Sequence, residues 1–317
     1  MVVGDGRHVT VDHRDARCGI TGIGSGGGNS SHALDVIAPF NCLVGVLSGR
    51  RQVRFHGCWR WQVQVDQSVG LITGGAGGLG AGAARMLVRE GGRVVLIDLP
   101  GSRGHELVKE IGDDVALFVP TDVTQTDQVE AAVSAGLERF GRLDVCINAA
   151  GVSPAARVVH KTGKLFPLDV FASTVAINLT GAFDVARQAA GAMSKNAPGS
   201  DGERGLIINV SSIAAVEGQV GQAAYAASKG GLAALTLPLA RDLAMWGIRV
   251  LGVLPGIMDT PMLAGIDESR RAALVDLHVF PKRLGTPEDF AKVVHAFMIN
   301  TMLNGDMIRL DASTRLA

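Results

Sequence analysis

The sequence predicts an α/β protein: a single Rossmann-type doubly wound parallel sheet of about seven strands with helices on both faces. Three observations lead there. From residue 68 onward, short apolar runs alternate with longer helical stretches. A glycine-rich loop follows the first of these runs and opens a helix. Hydrophobic residues make up 47% of the chain but aromatics only 4%, which suits an Ala/Val/Leu core with many tight turns.

The chain has 317 residues, with 30 basic and 30 acidic side chains. Such balance, without a basic block, argues against a nucleic-acid partner. No apolar run approaches the roughly 20 residues that cross a membrane, so no membrane association is expected. Residues 1–63 read as a separate region. They hold Trp59 and Trp61 but no lysine, and a Gly/Ser-rich stretch covers 24–31. The apolar run 36–47 follows Asp35 and a long polar lead, wrong for a signal peptide. Arg50, Arg51 and Arg54 suggest a targeting segment, but Asp5, Asp12 and Asp15 do not suit a transit peptide. The expectation is a poorly structured or dispensable extension over 1–63, with a targeting or interaction arm as the alternative. A Rossmann domain over 64–317 then follows. Cys18, Cys42 and Cys58 lie in the extension and Cys146 in the domain, with no metal-binding spacing. A reduced protein without a metal ion is expected, in the cytoplasm or, in a eukaryote, the mitochondrial matrix.

In the domain, strands are expected at 69–73, 93–98, 115–119, 143–148, 206–211, 248–254 and 306–310. Residues 170–195 read as one helix, apolar or small around most of its circumference. The helix carrying Tyr225 is similar, and both could pack against their copies in a symmetric dimer or be buried under loops of one subunit. The last helix has Thr286 as N-cap, Pro287 at its first position, then Glu288 and Asp289.

The loop Thr73-Gly74-Gly75-Ala76-Gly77-Gly78-Leu79-Gly80 has the strand–turn–helix setting of a pyrophosphate cradle. Asp98, ending the second strand, suits the adenosine ribose hydroxyls and would repel a 2′-phosphate, which points to NAD. Asp122 and Val123 end the third strand, where they could meet the adenine. Asn148, Ala149, Ala150 and Gly151 end the fourth. Tyr225 and Lys229 lie one turn apart on a helix face, so the ammonium favours the phenolate. Ser212, after the fifth strand, could hold a carbonyl oxygen beside that phenol.

Together these residues resemble the short-chain dehydrogenase/reductase family, from about residue 64 to the C-terminus. The resemblance rests on the loop at 73–80, Asp98, Asp122, the Asn-Ala-Ala-Gly at 148–151, Asn178, Ser212, Tyr225, Lys229 and Pro255-Gly256. Stretches such as Asp98-Leu99-Pro100, the run from Glu217 to Tyr225 and Arg283-Leu284-Gly285 resemble its type 10 17β-hydroxysteroid, or short-chain L-3-hydroxyacyl-CoA, dehydrogenase branch. The resemblance implies a homotetramer that uses NAD to oxidise 3-hydroxyacyl-CoA thioesters, sometimes also hydroxysteroids. It implies Tyr225 as acid–base, Ser212 as holder of the substrate oxygen, and Lys229 as partner of tyrosine and nicotinamide ribose. Asn178 would support a proton-carrying water, and Met258 and Thr260 would meet the nicotinamide end. The sequence departs from the family pattern at Gly77 (commonly serine), Ala149 (commonly asparagine) and Ala312 (often glycine). Alternatives are a 3-oxoacyl-thioester reductase of fatty-acid synthesis, and a non-catalytic nucleotide-sensing or scaffolding protein.

Overall fold

The structure, a computed structural model, describes residues 65–316 except Ser200, together with the short antiparallel ladder of Val2–Val3 with Arg7–His8. The chain divides into two compact units, Met1–Trp59 and Arg60–Ala317. Apart from that ladder, the readings for residues 1–63, including Cys18, Cys42 and Cys58, lie outside the described residues.

In the second unit seven strands form one all-parallel sheet. They are β1 (Val69–Thr73), β2 (Arg93–Asp98), β3 (Ala116–Pro120), β4 (Val145–Asn148), β5 (Gly205–Val210), β6 (Ile248–Pro255) and β7 (Met307–Leu310). Their order is β3-β2-β1-β4-β5-β6-β7. β1, β4, β5 and β6 are buried along their whole length, which is why they read as unbroken apolar runs. Their side chains still alternate between two cores. Ile72, Leu96, Ile147 and Ile208 face α1 (Gly78–Arg89), α2 (Gly104–Ile111) and α8 (Pro287–Ile299). Leu71, Val95, Cys146 and Ile207 face α3 (Thr126–Phe140), α5 (Ala182–Met193) and α6 (Ala223–Leu243). This is the doubly wound α/β architecture that the sequence predicts, with strand ends displaced by a residue or two where pairing frays.

The helix expected over 170–195 is a continuous run, but not one α-helix. α4 (Leu168–Val175) leads into a π turn, Ala176–Gly181, and then into α5. The wide turn surrounds Asn178, whose side chain is bonded to the loop backbone at Val152. The whole run, Leu168–Met193, is long and apolar enough to cross a membrane by length and composition alone, contrary to the sequence reading. Yet α5 packs its Val185, Ala186 and Ala189 into the core beside the sheet. At α8, the Thr286 hydroxyl accepts from the Asp289 amide while the Asp289 carboxylate accepts from Thr286, completing the expected cap.

β1 and β4 are sheet neighbours whose following chains leave for opposite faces. Their carboxyl ends therefore open a crevice, the place where ligands of such sheets bind.

Candidate active site

At the end of β1 the chain turns through Gly74 with φ +60, and a Cβ there would lie 2.9 Å from the Ala150 nitrogen. A Cβ on Gly80 would come within 2.3 Å of the Gly74 carbonyl, so only glycine lets α1 start this close to the strand. The backbone of the loop is thus exposed to a ligand at the N-terminus of a 12-residue helix. Gly77, the N-cap, is extended, with nothing within 4 Å of its would-be Cβ, so the serine common in the family would fit there.

The loop is fastened by two polar groups. Asp98 Oδ2 accepts from the Ala76 amide at 3.1 Å and Oδ1 from Leu99 at 2.8 Å. Thr73 Oγ1 accepts from the amides of both Ala149 and Ala150 at 2.9 Å, joining the ends of β1 and β4. Asp122 Oδ1 accepts from the Thr124 amide and hydroxyl, holding the turn into α3 while still facing the crevice. A cavity of about 810 Å³ runs along this edge. Gly74, Gly77, Gly78, Leu79 and Gly80 line one end, with Asp98, Asp122 and Val123 beside them. Ala149, Ala150 and Gly151 form its floor. Ser212, Tyr225 and Lys229 line it as well, as do Pro255, Gly256, Met258 and Thr260, the last within 3.5 Å of a would-be Cβ on Gly78. An acidic side chain at the β2 edge, beside a glycine loop on a helix N-terminus, fits a dinucleotide.

Ser212, Tyr225 and Lys229 come from two elements. Ser212 follows β5 and accepts from the Ala214 amide at 3.1 Å, which fixes its hydroxyl. Tyr225 and Lys229 share one face of α6. Lys229 is buried; its Nζ donates to the Val210 carbonyl at 2.7 Å and lies 6.0 Å from the Tyr225 ring centre. Burial pushes the ammonium down to about 8. Burial also raises the Tyr225 phenol above its usual value, and a hydrogen bond with Ser212 draws it partly back. The lowering expected from Lys229 does not govern here, because the ammonium gives its bond to a backbone carbonyl and both groups share a dry wall.

Two expected site residues do not line the cavity. Asn178 is fully buried: its Oδ1 accepts from the Val152 amide, and its Nδ2 donates to the Val152 carbonyl and to Ser228 Oγ. It still touches the site, since a Cβ on Gly151 would lie 3.1 Å from its Oδ1 and 3.2 Å from Lys229 Nζ. Asn148 turns away, with its Nδ2 donating to the Ala182 carbonyl and Asn209 Oδ1. Sequence reading missed Ser228, which donates to the Tyr225 carbonyl at 2.8 Å. Its place three residues after Tyr225, on the same helix face, was the available signal. It also missed Gln219, Gln222 and Leu316 on the cavity wall, which no periodicity marks.

Residues 68–271 match the family model described as short chain dehydrogenase. The chain is 47% identical over 249 residues to 3-hydroxyacyl-CoA dehydrogenase type-2 of Bos taurus, covering 78% of this chain and 95% of that one. It is 44% identical over 253 residues to the Drosophila melanogaster protein of the same name, covering 80% and 99%. The crystal structure of 3-hydroxyacyl-CoA dehydrogenase type-2 from Mycobacterium avium superposes with a TM-score of 0.76 at 38% identity, over 80% of this chain and 98% of that one.

The buried ammonium has a consequence for stability. Lys229 titrates at about 8 when folded against 10.5 for an ordinary lysine, so between these values the unfolded chain binds more protons. Folding stability therefore rises with pH across that window, and falls as pH drops toward its lower end. Lys229→Met has no such proton to bind. Stability of the wild type relative to this variant should climb from about pH 8 to 10.5 in chemical melts; parallel curves would mean that the ammonium is hydrated.

Proposed function

The chain belongs to the short-chain dehydrogenase family, and from that premise we propose that it oxidises the 3-hydroxyl of an L-3-hydroxyacyl-CoA thioester to a ketone, with NAD as hydride acceptor. Family membership makes it an oxidoreductase that depends on a nicotinamide dinucleotide. The observation that carries the reading is one cavity: Ser212, Tyr225 and Lys229 line it together with Asp98 and the glycine loop.

When bound, the dinucleotide supplies the nicotinamide carbon that accepts the hydride. The phenolate of Tyr225 takes the hydroxyl proton as the carbinol C–H bond breaks, and the substrate oxygen becomes a carbonyl. Ser212 donates to that oxygen and keeps it beside the phenol. Lys229 presents its ammonium to the nicotinamide ribose and to the charge that the Tyr225 phenolate carries before it takes the proton. Asn178 orders the backbone at Val152 along the route by which the proton leaves.

Selection of NAD rests on Asp98. Both of its oxygens touch backbone amides yet keep lone pairs for two ribose hydroxyls, while a 2′-phosphate would meet a like charge. Leu99 follows it, and Arg103 pairs with Glu106 at 2.6 Å, so neither offers that phosphate a partner. This disfavours an NADPH-dependent 3-oxoacyl reductase. The acyl chain would lie against Met262, Leu263, Leu274 and Leu277 at the apolar end of the cavity. Arg157, His160, Lys161 and Lys164 stand exposed on a hairpin closed by Val159 and Leu165. This hairpin packs on Gly221 through the Ala156 amide, beside the cavity wall, which suits it to the phosphates of coenzyme A.

A homotetramer completes the proposal. Leu168 and Phe183, 79% and 41% exposed, put apolar side chains on the outer face of the α4–α5 run, among the exposed Ser173, Thr180 and Arg187, where a second copy would cover them. Residues 64–317 would form the catalytic domain, since every candidate site residue lies within them. The proposed compartment is the cytoplasm or, in a eukaryote, the mitochondrial matrix; Cys146 is a free thiol pushed up to about 12 by burial, which keeps it unreactive.

Tyr225→Phe should lower kcat by at least roughly a hundredfold while NAD affinity stays level; an activity above a tenth of wild type would exclude the phenol as acid–base. Asp98→Ala should narrow the NAD:NADP ratio of kcat/KM by roughly tenfold, the loss of a charged hydrogen bond. A wild-type preference for NADP would refute the cofactor assignment. Replacing Lys161 and Lys164 by alanine should raise KM for an acyl-CoA by roughly threefold to tenfold. KM for an uncharged secondary alcohol should stay level, and an equal response of both would make the hairpin merely structural.

A further inference from the structure

Beyond β7 the chain turns sharply back over the sheet edge. Ala312 and Ser313 both have positive φ, 49 and 61, a conformation that costs a side-chain-bearing residue energy and persists only where its surroundings impose it. What imposes it is a cluster of two guanidiniums and two carboxylates. Arg309 grips Glu217 in bidentate fashion, Nη1 to Oε1 at 2.9 Å and Nη2 to Oε2 at 3.2 Å. Its Nε also reaches Asp311 at 2.7 Å, and its Nη2 reaches the Thr314 carbonyl at 3.0 Å. Arg315 spans the same two acids, at 3.4 Å to Glu217 and 3.3 Å to Asp311. Asp311 accepts from the Ser313 amide within the turn. The Leu316 amide donates to Glu217 Oε2 at 3.1 Å.

The contacts to Glu217 tie the tail to a wall of the cavity, and those to Asp311 hold its turn. Glu217 belongs to the segment between Ser212 and Tyr225, two residues before the wall residue Gln219. The Ala312 carbonyl accepts from Val279, just past the wall residue Leu277. Leu316 itself lines the cavity. Glu217 lies 20% exposed and Arg309 26%, so the pair is partly shielded from water, and Arg309 above all holds the Glu217 carboxyl below its usual range.

We infer that this cluster is a latch: Glu217 and Arg309 fasten the C-terminal tail over the apolar end of the cavity, so that Leu316 limits the length of chain the substrate can carry. The inference rests on the acyl-thioester reading above and assigns that substrate a specificity-determining residue. Leu316 is not a catalytic residue, and Glu217 acts only by positioning it.

The test compares Leu316→Ala and Glu217→Gln with wild type. It measures kcat/KM over 3-hydroxyacyl-CoA thioesters from short to long, and over simple secondary alcohols of matching lengths. Both variants should raise the ratio of long to short substrate by roughly tenfold, the scale on which an apolar pocket feels a few methylenes. KM for NAD should not move, which separates a latch from general loosening. Should Glu217→Gln fail to fold, Leu316→Ala, a truncation in the tail, decides alone. A ratio unchanged or lowered in Leu316→Ala overturns the inference. If wild type oxidises the alcohols but no thioester, the substrate reading fails, and the alcohol series judges the latch by the same ratio.

Discussion

The carboxyl edge of this sheet is organised around a buried ammonium group at the cavity wall. Lys229 lies in the body of α6, its Nζ bonded to the carbonyl of Val210 at the last position of β5. A buried charge with one neutral partner is unfavourable, and an apolar side chain of the same length would suit the packing better. The surroundings are cut to fit it all the same. Gly151 leaves room beside Nζ, and Ser211 anchors the backbone of the same residue by donating to the Lys229 carbonyl at 2.7 Å. A group kept where stability alone would remove it points to chemistry. Because β5 both receives the ammonium and delivers Ser212, a small shift of that strand would move two of the three central groups together.

A second constraint joins the dinucleotide end of the cavity to this centre. β1 and β4 run side by side, but their chains part at the crevice, and without a bridge their loops would be free of one another. Thr73 supplies the bridge by accepting from two successive amides after β4, and Asp98 does the same for the glycine loop from the β2 side. These bonds satisfy backbone donors that the edge would otherwise leave unpaired. The same groups that stabilise the turns thus set the distance between the Asp98 carboxylate and α6.

Much of this was readable from residue types, for physical reasons. Parallel strands buried on both faces must be continuous apolar runs, and β1, β4, β5 and β6 are; the cap at Thr286 follows from local chemistry over four positions. The limits have physical reasons too. Strand alternation sends Asn148 into the core to meet Asn209, although its neighbours reach the cavity. Pairing Tyr225 with Lys229 by helix spacing led to a lowered phenol, whereas burial, which spacing cannot report, raises it. The latch joins Glu217 to Arg309 across 92 positions and to Leu316 across 99, so no local pattern could reveal it.

The π turn shows how a polar group survives inside an apolar helix. The 26-residue run from Leu168 to Met193 is mostly apolar or small, and Asn178 lies fully buried at its middle. Widening the helix over Ala176–Gly181 interrupts its regular pitch around that residue, and the side chain finds bonds to both backbone groups of Val152 and to Ser228. Ser228 passes the connection on to the Tyr225 carbonyl. A chain of hydrogen bonds therefore runs from the loop after β4, through the π turn, to α6, with Asn178 and Ser228 fully buried. In so dry a place each bond is costly to break, since either partner would be left unsatisfied. The π turn thereby holds in register three segments that are remote in sequence, and it does so where Tyr225 and Lys229 line one cavity.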